Sequence, residues 1–407
     1  MDNKNVFVAI ALSMSVLLFW AAFFEQPQPI EKKVSQNQEK KEENSIAPSI
    51  NESFKIKKIS REESINSSKR LKIENSSVIG SMSLKGGLID DISFKKHKQN
   101  LKNKKNVEFL NPAETENGFY VEAGWTSVGN KVKVPTKDSL WTSKGNKILS
   151  NNQPILLEWN NGEGIIFKRK IELDDKYLFK ITQQVQNNTN QSLDLYPYAQ
   201  ITRNKIPDDI QNFYIQHEGF IGVFDDELKE DDYDDIEENK IVREANEGWL
   251  GITDKYWMAA LVPKKGENFK STFLYRDGFK ANYILNNPTT IKPSSSNLNE
   301  IKLFVAAKEV DTIDAYAENQ KIEKFDLVID WGWFYFFTKP LFFIIDYLFK
   351  YSGNFGIAIV IITVGIRLIF FPLANYSFRS MAKMKAVQPE MTRLKELHKE
   401  DKVKLQQ

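Results

Sequence analysis

The chain has 407 residues, 41% hydrophobic and 27% charged, enough for a soluble domain of ordinary size with further elements beside it. Its 56 Lys and Arg nearly balance 54 Asp and Glu, so a net charge of +2 gives no global field for DNA or acidic substrates. The absence of cysteine excludes disulfides, thiol nucleophiles and thiolate metal sites together, so an exported domain would stand on its core alone.

Residues 1–25 contain the apolar run Val6 to Phe24, VFVAIALSMSVLLFWAAFF. It exceeds a usual signal-peptide core, and Phe23-Phe24-Glu25 offers no small-x-small cleavage pattern. An uncleaved transmembrane anchor is favoured over a cleaved signal peptide. Residues 26–68, rich in Lys, Glu, Gln, Asn, Ser and Pro without a sustained period, read as a disordered linker.

Over 69–309 the texture changes to short β-type runs separated by Gly, Asn, Asp and Pro. In the clearest hairpin, Phe167, Arg169, Ile171 and Leu173 share one parity before a turn at Asp174-Asp175. Tyr177, Phe179, Ile181, Gln183 and Val185 continue the alternation. Further strands are expected within Gly87–Phe94, Leu156–Trp159, Leu193–Thr202, Gly248–Val262, Phe273–Leu285 and Glu300–Ala306. Many short strands with little helical periodicity predict an antiparallel β-sandwich. The acidic run Asp225 to Glu238 lacks the ligand pattern and central glycine of a calcium loop and reads as a solvated loop.

Residues 310–326 read as a connecting helix. The stretch 327–350 is the most aromatic of the chain, with Trp331 and Trp333, and Pro340 would break a straight span. Its spaced charges suit an amphipathic helix in the headgroup plane. Residues 355–374, FGIAIVIITVGIRLIFFPLA, have the length of a transmembrane helix. Their one charge, Arg367, costs about 2.5–3.5 kcal/mol on insertion scales, less than the apolar neighbours return. Thr363 lies one turn earlier on the same face, so the pair makes a polar stripe suited to a partner or a wet cavity. The plain alternative is an arginine that snorkels to the nearer interface.

Beyond Ala374 the charges are mostly positive, including Arg379, Lys383, Lys385 and Arg393, which marks a cytoplasmic side. Two spans then place the N-terminus in the cytoplasm as well, with the β domain outside. Met384, Val387, Met391 and Leu394 follow a helical spacing and predict an amphipathic helix over 375–407. His217-Glu218-Gly219 is no zinc-protease motif, because Ile221 stands where a second histidine is needed. No metal or nucleotide cofactor is indicated.

The segments DWGWFYFFTKPLF, GNFGIAIVIITVGIRLIFFPL and SMAKMKAVQPEM together resemble the YidC/Oxa family of membrane protein insertases in its Gram-negative form. The resemblance implies a periplasmic β-supersandwich followed by an interfacial helix carrying Trp331, Trp333 and Pro340. It implies a core transmembrane helix whose Arg367, with Thr363 beside it, faces a hydrophilic groove. It also implies a cytoplasmic helical hairpin beginning with Met381, Lys383, Met384 and Pro389. The implied role is a non-enzymatic inner-membrane insertase and chaperone, working with or without the Sec translocon. Its partners would be nascent membrane proteins, lipid, the translocon and the ribosome. That groove needs five core helices and this sequence supplies one, so it reads as a fragment. Two other readings stand beside it. One is a membrane-anchored carbohydrate-binding or sugar-epimerising protein, which would pair His97 or His217 with a carboxylate in a polar cleft. The other is a structural scaffold in which Arg367 is inert.

Overall fold

The structure, a computed structural model, describes residues 54, 56–57, 59–100, 102, 104–208, 210, 216–332 and 334–397. It divides the chain into two compact units, Asn44–Gly332 and a second made of Met1–Glu43 with Trp333–Gln407. The expected anchor, the linker as far as residue 53, and Trp333 lie outside the described residues.

The first unit is a sandwich of two sheets over one apolar core. In one sheet, nine neighbouring strands run Ile241–Ala245, Phe269–Tyr275, Phe279–Leu285, Leu193–Arg203, Phe119–Thr126, Ile89–Lys98, Val78–Ser83, Arg70–Glu74 and Ile148–Leu149. Thr289–Ile291 and Asn106–Leu110 pair at the side of this path. The second sheet runs Glu227–Asp231, Gly219–Phe224, Gly248–Thr253, Trp257–Pro263, Ser295–Ala307, Leu178–Asn187, Ile165–Leu173, Ile155–Asn160 and Thr142–Lys144. Among the described residues these strands pair antiparallel except Arg70–Glu74 with Ile148–Leu149, and an isolated bridge between Asn151 and Leu173 is also parallel.

Period-2 alternation builds this sandwich. The predicted hairpin pairs Ile181 with Ile171 and Val185 with Phe167, and every residue assigned to its inward parity is buried, Arg169 and Gln183 included. Two expected strands prove to be hairpins. Gly248–Val262 is broken where Asp254 N–H bonds the Trp257 carbonyl, and Phe273–Leu285 where Asp277 and Gly278 adopt positive φ. Phe119–Thr126 and Gly219–Phe224 are covered on both faces, so neither shows alternation in sequence.

The end of the expected disordered linker is ordered. Helix α1 (Arg61–Asn66) starts at a capping box in which Ser60 and Glu63 bond each other's backbone N–H. Arg61 then ion-pairs with Asp91 and Glu108 on the sheet. The acidic run is not a solvated loop throughout: Glu227–Asp231 is a strand and α2 (Tyr233–Glu238) a helix. Tyr233 and Ile236 are buried, and Asp231 takes two hydrogen bonds of 2.7 Å from Arg243. Three apolar anchors in this run, counting Leu228, outweigh its charge. Helix α3 (Val310–Asn319) buries Ile313 and Tyr316 in the sandwich core, and Phe325 and Val328 beyond it join the same core.

In the second unit α4 (Tyr335–Ser352) is followed by α5 (Phe355–Leu397). Gly353 closes α4 at φ +66°, its N–H bonding the Phe349 carbonyl at 2.8 Å. Asn354 opens α5 by accepting from Ile357 N–H at 3.2 Å. Phe349 and Phe355 pack across the corner with ring centres 5.7 Å apart.

Candidate functional site

Helix α5 is one element of 43 residues, about 64 Å long at 1.5 Å per residue and twice a hydrocarbon layer. It passes the expected boundary at Ala374 without a break, so Met381, Lys383, Met384 and Pro389 continue the helix that carries Arg367. Between Asn375 and Leu397 there is no glycine, and Ala, Met, Lys, Arg, Gln, Glu and Leu, all good helix formers, supply most positions. Pro372 and Pro389 cannot donate to the carbonyls of Leu368 and Lys385, one turn earlier.

Nearly every side chain of α5 from Phe355 to Arg393 is exposed, including Leu368, Ile369 and Leu373 at 64–75%. Such an apolar surface needs hydrocarbon or other helices around it. Among the described residues it is the one helix long and apolar enough to cross a membrane. Arg367 and Thr363 are both exposed on it, four residues apart. Thr363 Oγ1 donates to the Ile359 carbonyl at 2.7 Å, which uses its proton within the helix and leaves only its lone pairs facing outward.

In α4 the exposed positions Phe336, Pro340, Phe343, Tyr347 and Tyr351 recur every three to four residues. Lys339 and Asp346 lie on the partly covered side, and Lys350 bonds Asp346 at 2.6 Å. The aromatic stripe opposite Lys339 and Asp346 makes α4 amphipathic, the pattern of a helix touching lipid. Pro340 does not break the helix as expected: α4 runs through it, at the cost of the N–H that would bond the Phe336 carbonyl. Trp331 lies before the helix, partly exposed.

Both histidine candidates of the sandwich face carboxylates. His97 Nε2 donates to Glu309 Oε1 at 3.2 Å, and the pair borders a cleft of about 270 Å³ with Tyr256, Trp257, Lys308 and Asp330. Hydrogen bonds from His97, Tyr177 and Thr312 outweigh desolvation and hold the Glu309 carboxyl down at about 2. A carboxylate so stabilised is a poor proton acceptor near neutral pH. His217 lies 3.4 Å from Asp232 and donates its other nitrogen to the Phe220 carbonyl at 2.8 Å. Lys308, missed in the sequence, lines the same cleft. Burial pushes its amine down to about 8, and it donates to Thr253 Oγ1 at 3.1 Å.

Comparison with known proteins finds two family profiles, which meet within α4. Residues 70–344 match the family profile described as the YidC periplasmic domain, and 347–407 that of the 60Kd inner membrane protein. A protein from Pelagibacter ubique called membrane protein insertase YidC is 46% identical over 407 residues, covering all of this chain and 73% of that protein. The proteins of the same name from Methylorubrum extorquens and Brucella melitensis are 38% and 36% identical, with 71% and 72% of their lengths covered. A solved galactose mutarotase related enzyme from Lactobacillus acidophilus is 12% identical at a TM-score of 0.43, over 58% of this chain and 97% of that one. That likeness is too slight to bear on activity. Aligned along its whole length with these insertases, and matched by the profile of their extramembrane part over most of it, the chain belongs to the YidC family of membrane protein insertases.

Proposed function

We propose that this chain is an inner-membrane insertase and folding chaperone in which Arg367, with Thr363 one turn before it, receives the polar tail of an arriving membrane protein. The observation that carries the reading is a single guanidinium in an otherwise uncharged, exposed helical stretch. At 4 Å from a carboxylate and an effective dielectric of 20 its attraction is about 4 kcal/mol, comparable to the cost of placing it there. Holding a tail part-way shortens its remaining dry path, and partition of the new helix into lipid then completes insertion. The sandwich, a β-supersandwich in this reading, lies in the periplasm and α4 in its headgroup plane. The N-terminus lies in the cytoplasm beyond an uncleaved anchor. Met381, Lys383, Met384 and Pro389 begin a cytoplasmic hairpin, and the ribosome and Sec translocon are partners. No covalent step or nucleotide is required.

In proteoliposomes carrying the protein, Arg367→Ala is expected to lower insertion of substrates with charged extracytoplasmic tails by about tenfold, equivalent to about 1.4 kcal/mol. Arg367→Lys is expected to retain most of it. Equal insertion by wild type and the alanine variant would remove the mechanism.

The pair of His97 and Glu309 in a cleft favours a second reading, sugar epimerisation. The low affinity of Glu309 for a proton speaks against it. Polarimetry on freshly dissolved α-galactose separates the two. The insertase reading expects no acceleration of mutarotation, and an acceleration abolished by His97→Ala would establish the other.

A further inference from the structure

The sandwich carries a second, larger cleft of about 550 Å³, bordered on one side by Val107, Glu108 and Phe109 and on the other by Arg203 and the segment from Lys205 to Asp208. Tyr256 and Trp257 stand at its end and also border the smaller cleft of His97 and Glu309. Its volume is that of an ordinary ligand site.

One wall is the side of a strand. Among the described residues Asn106–Leu110 pairs with Ile89–Lys98 alone, and the sheet path continues from Ile89 to Phe119–Thr126 instead. An isolated bridge from Asn111 to Phe119 closes the end of the gap. A strand paired on one side directs alternate N–H and C=O groups away from its partner, a template for another extended chain.

Three cations, Lys98, Arg203 and Lys205, and three carboxylates, Glu108, Asp208 and Asp254, line the cleft, so its charges balance. Arg203 holds Asp254 through two hydrogen bonds, of 2.5 and 3.2 Å. Lys205 bonds Asp208 at 3.1 Å, Glu108 pairs with Arg61 at 3.2 Å, and Lys98 donates to the Asn106 side chain at 2.5 Å. A wall of balanced charge suits an uncharged guest, which disfavours phosphates and nucleic acid. Tyr256 is 58% exposed, an aromatic shelf for an apolar side chain.

We infer that this cleft binds an uncharged extended polypeptide, which adds as a strand to Asn106–Leu110 and rests an apolar side chain on Tyr256. The identification of such guests with extracytoplasmic segments of substrates rests on the insertase reading. The binding itself does not.

The test uses the full chain in detergent micelles and a fluorescent eight-residue peptide of alternating Val and Thr, followed by anisotropy. Saturable binding is expected, weakened at least tenfold by N-methylating alternate peptide nitrogens, which removes main-chain donors and leaves the protein untouched. Tyr256→Ala, a change at an exposed side chain, is expected to weaken it about fivefold. Because the chain has no cysteine, Asn106→Cys provides a single thiol that bound peptide should shield from maleimide. Absence of binding, equal binding of the N-methylated peptide, or displacement by maltohexaose but not by unlabelled peptide would overturn the inference. Insertion by the same preparation is measured in parallel. Insertion without peptide binding sinks the cleft proposal alone, and peptide binding without insertion sinks the insertase reading alone.

Discussion

Glu309 shows how one side chain can tie distant elements together. It lies at the start of α3 and receives hydrogen bonds from His97, Tyr177 and Thr312. Its carboxyl is held at about 2 in the folded protein against an ordinary 4.5. A depressed acid contributes stability above its unfolded value and loses it as pH falls through the folded one. The contribution should therefore be complete above about pH 5 and fade towards pH 2. With about a third of the side chain exposed, solvent screening reduces it to about 1–2 kcal/mol. Thermal unfolding at pH 6 and pH 3 should show wild type losing more than Glu309→Gln by roughly half that amount, because at pH 3 the folded carboxyl is still mostly ionised. An identical loss in both would show that the hydrogen bonds add nothing. None of this was legible in the sequence, because 132 residues separate Tyr177 from Glu309 and 212 separate it from His97. Sequence reading identified His97 as one of two histidines needing a partner but had no way of choosing among the carboxylates.

At the scale of elements, legibility followed exposure. The hairpin from Ile165 to Asn187 has one face in the core and one in water, so its alternation appeared in the sequence. Strands covered on both faces lost that signal. Helix α1 was hidden for another reason. Six residues are too few for a helical period, although Ser60 and Glu63 at capping-box spacing were a readable start signal. What fixes α1 is Arg61, 19% exposed, on Asp91, 8% exposed. Removing one partner of such a pair leaves a buried carboxylate without its cation. Arg61→Ala is expected to cost about 3 kcal/mol in denaturant unfolding of the sandwich and to free the amides of 61–66 for hydrogen exchange. Unchanged exchange there would mean that the capping box alone holds the helix. The candidate site was legible because Arg367 interrupts an otherwise uncharged run. A helix beyond Ala374 was legible too, from the spacing of Met384, Val387 and Met391, but its unbroken junction with the apolar helix was not, since a hydrophobic count ends where the apolar residues end and a helix does not.

For the molecule as a whole, the proposed orientation in the membrane rests on charge placed along a continuous helix. The polar half of α5 carries Arg379, Lys383, Lys385 and Arg393 against Glu390, all within about 20 residues of the apolar half. Lys and Arg in that window set which side stays in the cytoplasm, whereas acidic residues count little, so the sandwich is proposed to lie on the opposite side. Overall charge is uninformative here. The +2 of the chain averages a balanced sandwich with a basic tail. The absence of cysteine makes the orientation measurable with one thiol at a time. Leu140→Cys, at an exposed sandwich position, should react with a membrane-impermeant maleimide in intact spheroplasts, and Lys383→Cys only after permeabilisation. Changing Arg379, Lys383, Lys385 and Arg393 together to Gln should leave a measurable fraction of Leu140→Cys protected, because most of the positive charge near the apolar half is removed. If the quadruple change leaves labelling complete, the orientation is determined elsewhere in the chain. If Lys383→Cys labels in intact spheroplasts, the proposed sidedness is inverted, and Arg367 would have to receive its substrates from the other face.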